Sequence, residues 1–465
     1  MNVRNIIEFL HGLGVTTVDS DFRTHIDEWA DWYRGKVDRF HKYLVFNGIQ
    51  TKQVERATLG MAKTICEDWA NLLLNEHVQI NVDGETQQAA LDELLRLNHF
   101  AVEGNRTVER AFATGTGAFS EYLDANGIPR IDYHDARHVW PLKWHGTEIT
   151  ECAFSSVDVQ DGKKCLYMRM YRKNDNGTMR IENYWLDYES GKQLRAPDGV
   201  QPVVETGITQ PLFQIVTPNL ANNVDTTCPM GLSVYANAID ALKSVDAVFD
   251  SFRNEYLLGR KRLLVPVSMT KIMMQQDGTS TPIFDTNDMV YTAYQPSDEQ
   301  ANEFHDLSPE IRAQQHLEGM RTQLNLLSFK VGLGTNRYEL DKSGGIKTAT
   351  EVISEQSDLY QAMCKHELVL QDALTGLASA LLMLSGIQPP EIKIVFDDSI
   401  IQDKSSIRAD AREDVSAGLM SKYRYLTEIA GLSDADALEE LTRIRAESSI
   451  SAEAIDFFGV RNAAD

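Results

Sequence analysis

The sequence predicts a mainly helical α+β protein. Three observations carry that reading. In the second half of the chain, apolar residues recur at three- and four-residue steps over long stretches. Between Phe119 and about Gln214 the period drops to two, and turn signals containing glycine separate the runs. With 465 residues, 43% hydrophobic and 24% charged, the chain has an ordinary balance for several packed modules.

Residues from Met1 to about Thr114 read as mostly helical. One amphipathic segment spans Gln53 to Leu74, with Met61, Ile65, Trp69 and Leu72 on one face. A second spans Thr86 to Leu97, with Ala90, Leu91, Leu94 and Leu95. The cluster Trp29, Trp32, Tyr33, Phe40 and Tyr43 reads as core or subunit contact more readily than as a base-stacking platform. In the alternating region Leu166, Met168 and Met170 interleave with Tyr167, Arg169 and Tyr171. The turns are Asn126-Gly127, His145-Gly146, Asp161-Gly162, Asn176-Gly177 and Ser190-Gly191. An antiparallel sheet set against the N-terminal helices is expected.

The chain is organised around Pro229 to Gly259. Leu232, Tyr235, Ile239, Leu242, Val245, Phe249, Phe252 and Tyr256 make one apolar stripe there. Proline near the first turn and glycine at the end bracket one long helix. About 30 residues at 1.5 Å each make a rod of roughly 45 Å. Arg260 to Leu307 is a β-like excursion, with strands expected at Arg262–Val267 and Met289–Ala293 around Gln276 to Thr279. A second helix is expected from Pro309 to about Val331, capped by Ser308. A glycine-rich loop follows, Gly332 to Lys347. Thr348 and Glu351 have capping-box spacing and open a very long helix to Gly386. Glu391 to Phe396 alternates as a short strand that returns to the sheet. Ser405 to Glu447 is helical again, with a cap at Ser433 to Asp436 before Leu438, Leu441 and Ile444. Ser448 to Asp465 reads as loosely ordered.

Cys66, Cys152, Cys165, Cys228 and Cys364 are odd in number and scattered, which favours reduced thiols in a cytoplasmic setting. The N-terminus lacks a signal-peptide pattern. No apolar run reads as long enough to span a membrane. The net charge of −23 argues against a surface that grips nucleic acid tightly.

The candidate chemistry is thin. Gly344-Gly-Ile-Lys-Thr348 is close to a phosphate loop, but Ile346 separates glycine from lysine and a helix precedes it. Thr114-Gly-Thr-Gly117 reads as a helix-to-strand corner. His134 and His138 have a zinc-like spacing near His145, without the glutamate of a metalloprotease. Asp397, Asp398 and Asp403 fit a solvated strand end better than a two-metal nuclease. No catalytic residue, metal or cofactor is therefore expected.

Three strings carry a resemblance: 229–266, 341–360 (DKSGGIKTATEVISEQSDLY) and 395–426. Together with the order of elements they resemble the portal proteins of tailed bacteriophages, in the branch of long-tailed phages of Gram-positive bacteria. The resemblance implies a portal fold. It has a wing (1–228), a stem helix (229–259), a clip (260–307) and a second stem helix (308–331). A tunnel loop (332–347), a long helix with the wing's return strand (348–404) and a crown with a C-terminal tail (405–465) complete it.

It also implies a non-enzymatic virion component at one capsid vertex, assembled in the host cytoplasm. That component is a homo-oligomeric ring, expected to be a dodecamer, through which double-stranded DNA passes. Its implied partners are the terminase large subunit, the head-tail adaptor, and the major capsid and scaffold proteins, with no membrane. The acidic charge fits either solubility or a tunnel through which DNA slides. Asn336, Arg337, Lys342 and Lys347 are the implied channel residues. Leu232, Tyr235, Ile239, Leu242, Phe249 and Phe252 are the implied stem contact between subunits. Gln275, Gln276, Asp277 and Thr279 are the implied clip docking residues. The competing readings are a metal-dependent nuclease or nucleotide-using enzyme, and a helical minor capsid or adaptor protein without a channel.

Overall fold

Helices form where apolar residues recur at helical spacing and a stop signal is at hand. The computed structural model describes residues 3–46, 50–160, 162–259, 261–266, 272–274, 280–282, 291–294, 305–307, 309–338, 349–396, 411–432, 434 and 436–445. The chain divides into two units, Met1–Phe396 and Asp397–Asp465.

In the first unit, α1 (Val3–Gly12) buries Ile6 and Leu10. The N-cap Asp19 accepts from the Asp21 N–H at the start of α2 (Ser20–Tyr33). α2 buries Phe22, Ile26, Trp29 and Trp32; of the predicted aromatic cluster, Trp29 and Trp32 are core, while Tyr33, Phe40 and Tyr43 are half-buried. One helical turn, α3 (Asp38–His41), leads into β1 (Lys42–Phe46), which pairs antiparallel with β2 (Thr51–Glu55). α4 (Met61–Leu73) buries the expected Met61, Ile65, Trp69 and Leu72. It begins later than expected, because Gln53 to Glu55 belong to β2 and Gly60 turns the chain at φ 72°. β3 (Gln79–Val82), α5 (Glu85–Leu97) and α6 (Phe100–Thr114) follow.

The β region comes next. β4 (Gly117–Leu123) and β5 (Pro129–Asp135) form a hairpin. β6 (Val139–His145), β7 (Glu148–Gln160), β8 (Lys163–Lys173), β9 (Met179–Asp187) and β10 (Gln193–Leu194) make an antiparallel meander. β11 (Val203–Glu205) also pairs with β9, and β12 (Phe213–Val216) returns to β4. All five predicted turns fall between consecutive antiparallel strands. The alternation has a physical cause: Leu166, Met168 and Met170 join Ile6, Leu10 and Trp140 in one core, so α1 lies on this sheet.

The long helix is shorter than predicted. α7 is Ile239–Leu258, preceded by one 3-10 turn at Ala236–Ala238. Residues 229–235 are pinned to α6 instead. The Val234 N–H donates to the Phe112 carbonyl at 2.9 Å, and the Tyr235 hydroxyl to the Trp29 carbonyl at 2.8 Å. Gly231 lies against Gly115, where a side chain on either would meet the other's backbone. Those tertiary bonds outweigh the local helical pattern.

Next come β13 (Leu263–Pro266), β14 (Ile272–Met274), β15 (Ser280–Pro282), β16 (Tyr291–Tyr294) and β17 (His305–Asp306). β13 pairs parallel with β16 and antiparallel with β17, while β14 and β15 pair with each other. α8 (Ala313–Lys330) starts after Pro309, and the Arg312 N–H just before its first residue donates to Glu255 at 3.2 Å.

α9 (Ala349–Leu384) ends in a Schellman motif: the Gly386 N–H donates to Met383 and the Ile387 N–H to Leu382. One correction concerns its composition. Asp358–Leu384 is long and apolar enough to cross a membrane, contrary to the sequence reading. Here it is a core helix, burying Met363, Leu370, Leu374, Leu377 and Leu381. β18 (Ile392–Val395) returns as expected, but pairs with β3 and not with the large sheet.

In the second unit the described residues include helical stretches at 411–416, Lys422–Arg424 and 436–445. There Ala437 is buried, whereas Leu438, expected to be apolar-face, is exposed.

Candidate functional site

α7 carries Asp246 and Asp250 one turn apart, on the same side of the helix. Both are buried, and both are used by the segment that follows β2. Asp246 accepts from the Leu59 N–H at 2.8 Å and from His41 Nε2 at 3.0 Å. His41 Nδ1 accepts from the Val37 N–H at 3.0 Å, which places the imidazole proton on Nε2. Asp250 accepts from the Ala57 N–H at 2.9 Å and from Asn254 at 3.0 Å. A charged joint thus ties the helix to the root of the β1–β2 hairpin. Sequence reasoning missed it. Its one signal was a pair of aspartates at i and i+4 in a helix otherwise rich in apolar residues.

α7 and α8 run antiparallel. Near one end, Arg312 makes a bidentate pair with Glu255 at 3.0 and 2.9 Å. That hydrogen bonding pulls the Glu255 carboxyl down to about 2. His316 stacks on Phe252, with ring centroids 5.3 Å apart. Further along, Gly319 of α8 faces Val248 of α7.

Within the single chain, the expected stem-contact residues fall into two groups. Leu232 and Tyr235 are buried inside the chain itself, because 229–238 folds onto α6 and α2, and Leu242 of α7 is buried as well. Ile239, Phe249 and Phe252 are half-buried. Among the described residues, the exposed large apolar side chains of the helix pair are Tyr256, Leu257, Leu317, Leu326 and Phe329.

α8 also ends in a Schellman motif. Gly332 (φ 81°) donates to Phe329, and Leu333 donates to Ser328. The Val331 carbonyl accepts from Trp69 Nε1 at 3.1 Å, which fixes the loop's first turn to α4. Asn336 sits at φ 64°, and its side-chain oxygen accepts from Asn325 at 2.8 Å. Arg337 pairs with Asp68 of α4 at 3.4 Å. Burial and the Asp68 charge push the Tyr338 phenol up. Lys342 and Lys347 lie outside the described residues, as do Gln275, Gln276, Asp277 and Thr279. So do the Gly344–Thr348 motif and Asp397, Asp398 and Asp403.

The histidine pair has other partners. His134 stacks on Phe154 at 4.5 Å and shares a 2.9 Å hydrogen bond with Ser120, and burial pushes its imidazole down to about 3. His138 approaches Ser155 at 3.4 Å. Among the described residues, no group of three or more His, Cys, Asp or Glu could hold a metal ion. Thr114 to Gly117 is the expected corner: α6 ends, Gly115 turns at φ 87°, and β4 begins. Glu121 on β4 is fully buried, its carboxyl has no hydrogen-bond partner, and burial holds it well above the usual carboxylate range.

Two antiparallel helices with a small strand module between them in sequence, joined through buried aspartates to the N-terminal elements, describe an α+β protein organised around long helices. The chain belongs to the phage portal protein family of the SPP1 Gp6-like type. The family described as "Phage portal protein, SPP1 Gp6-like" matches residues 15–454 of 465. That family is structural, and its members are capsid components that form oligomeric rings. No curated protein matches the chain.

Proposed function

We propose that this chain is the portal subunit at one vertex of a phage capsid, in a phage of the long-tailed, Gram-positive-infecting kind. Twelve copies form a ring through which double-stranded DNA enters during packaging and leaves during ejection. The observation that carries this reading is the family match over residues 15–454. In this reading, 260–307 receives the terminase large subunit and later the head-tail adaptor. The wing and the crown meet the major capsid and scaffold proteins. Subunits meet along the α7–α8 pair through its partly exposed residues, including Ile239, Phe249 and Phe252.

The loop from Gly332 to Lys347 faces the channel. In this reading Arg337, Lys342 and Lys347 give the loop its positive charge, and Arg337 is paired with Asp68. Electron microscopy of the purified protein tests the reading. Rings with a central hole are expected. Monomers, or closed assemblies without a hole, would favour an adaptor without a channel.

A further inference from the structure

Arg23 is a cation on the buried side of α2, beside Phe22 and Ile26, and only 4% of it is exposed. Its guanidinium lies over the Trp140 ring at 3.5 Å, and one terminal N–H donates to the Val139 carbonyl at 2.9 Å. A guanidinium carries five N–H groups. Among the described residues Nε–H has no acceptor, and no carboxylate forms an ion pair with the charge. Burial outweighs the negative groups nearby and pulls the guanidinium down to about 10. A buried charge without a counter-charge is costly, so an anion brought to it gains more than at a surface arginine.

Thr17, in the loop between α1 and α2, is a second such group. It is buried, and its hydroxyl has no hydrogen-bond partner among the described residues. Arg23 and Thr17 both line one groove of about 1200 Å³ between the two helices. Val3, Ile7 and Val18 give the same groove an apolar wall. The exposed Asp19 and Asp27 stand at its edge, while Arg4 and Glu8 neutralise each other at 2.7 Å.

These features select one ligand chemistry. Buried groups without partners call for an acceptor, and a carboxylate has two oxygens, one for the guanidinium and one for the threonine hydroxyl. The apolar wall calls for an aliphatic stem. The two edge aspartates repel a phosphate dianion or a polyanion more than a single negative charge.

We propose that the α1–α2 groove binds an aliphatic monocarboxylate, with its carboxylate on Arg23 and Thr17 and its chain along Val3, Ile7 and Val18. The site lies within one subunit and stands whether or not rings form. The test titrates the full chain with sodium hexanoate at pH 7 by isothermal calorimetry. One saturable site per chain is expected. n-Hexanol has the chain without the charge and should bind at least about tenfold more weakly, and inorganic phosphate should not compete. Thr17→Val removes the hydroxyl at nearly constant shape. It should keep its circular dichroism and lose about three- to tenfold in hexanoate affinity. Arg23→Lys keeps a positive charge without the planar fork and should lose at least about tenfold. A diazirine-bearing hexanoate should label peptides within residues 3–27 on irradiation.

Absence of saturable hexanoate binding overturns the proposal and leaves Arg23 and Thr17 to water. Equal binding of hexanol, displacement by phosphate, labelling elsewhere in the chain, or wild-type affinity in a folded Thr17→Val protein overturns it as well.

Discussion

Replacing Asp246 by alanine strips two donors, one buried and one half-buried, of their acceptor at once. The Leu59 N–H, 2.8 Å from one carboxylate oxygen, loses its partner, and so does His41 Nε2–H, 3.0 Å from the other. Both side chains of the His41–Asp246 pair are only 5% exposed, so water replaces little of what is lost. Each orphaned donor costs about 1–3 kcal/mol, so the pair costs about 2–6 kcal/mol. For the unit Met1–Phe396, an unfolding entropy of about 2.1 cal/mol/K per residue gives roughly 0.8 kcal/mol/K. The expected fall in Tm is then about 2–7 °C, read by differential scanning calorimetry.

Asparagine at position 246 gives a sharper test. Its amide oxygen can face the Leu59 N–H or His41 Nε2–H, and its NH2 group then points at the other donor. Because Nδ1 is engaged by Val37, the ring cannot switch tautomer without losing that bond. Asp246→Asn should therefore cost about 1–3 kcal/mol, near half the alanine effect. A double-mutant cycle with His41→Ala should show coupling above about 0.5 kcal/mol. An Asp246→Ala protein that melts within about 1 °C of wild type, or zero coupling, would refute the joint.

Two further outcomes follow from buried features. Glu121→Met should raise the melting temperature at pH 8, by about 1–3 kcal/mol of stability. The Glu121 carboxyl is held above its unfolded value of 4.5, so its cost is absent below that value and grows as pH rises through the folded value. The gain should therefore shrink toward pH 4, and an equal gain at both pH values would contradict the burial argument. Gly115→Ala meets both a φ of 87° and the backbone of Gly231 and Leu232. It should cost about 2–5 kcal/mol. A soluble variant with unchanged unfolding in urea would show that the corner tolerates a side chain.

Local signals in the sequence were read well. Five glycine turns became five hairpin connections, and Gly386 capped α9 where the helical pattern stopped. What was misread depends on partners far along the chain. The stripe from Leu232 was followed into residues 229–235, but Phe112, Trp29 and Gly115 hold that segment in a non-helical path. Periodicity shows that Leu242 is apolar. It does not show whether its neighbour lies in the same chain or the next. Gln53 to Glu55 were absorbed into a helix because strand pairing with Lys42–Phe46 leaves no mark on local spacing. The Asp246–His41 contact spans 205 positions, beyond the reach of any local pattern. In the loop, Arg337 was legible as a positive charge, whereas its neutralisation by Asp68 was not.

The pairing of β18 with β3 sets a timetable for synthesis. Gln79–Val82 leaves the ribosome early, and its partner Ile392–Val395 emerges roughly 300 residues later. At about 5–20 residues per second, β3 waits some 15–60 s with its hydrogen-bonding edge open. α9, which supplies much of the core, arrives in the same late interval. The N-terminal helices thus stay incomplete until nearly the whole first unit has been made. An open strand edge held that long is prone to pairing with nascent neighbours on the same message. Production of soluble subunits should depend on chaperone supply and on translation speed through the second half of the reading frame.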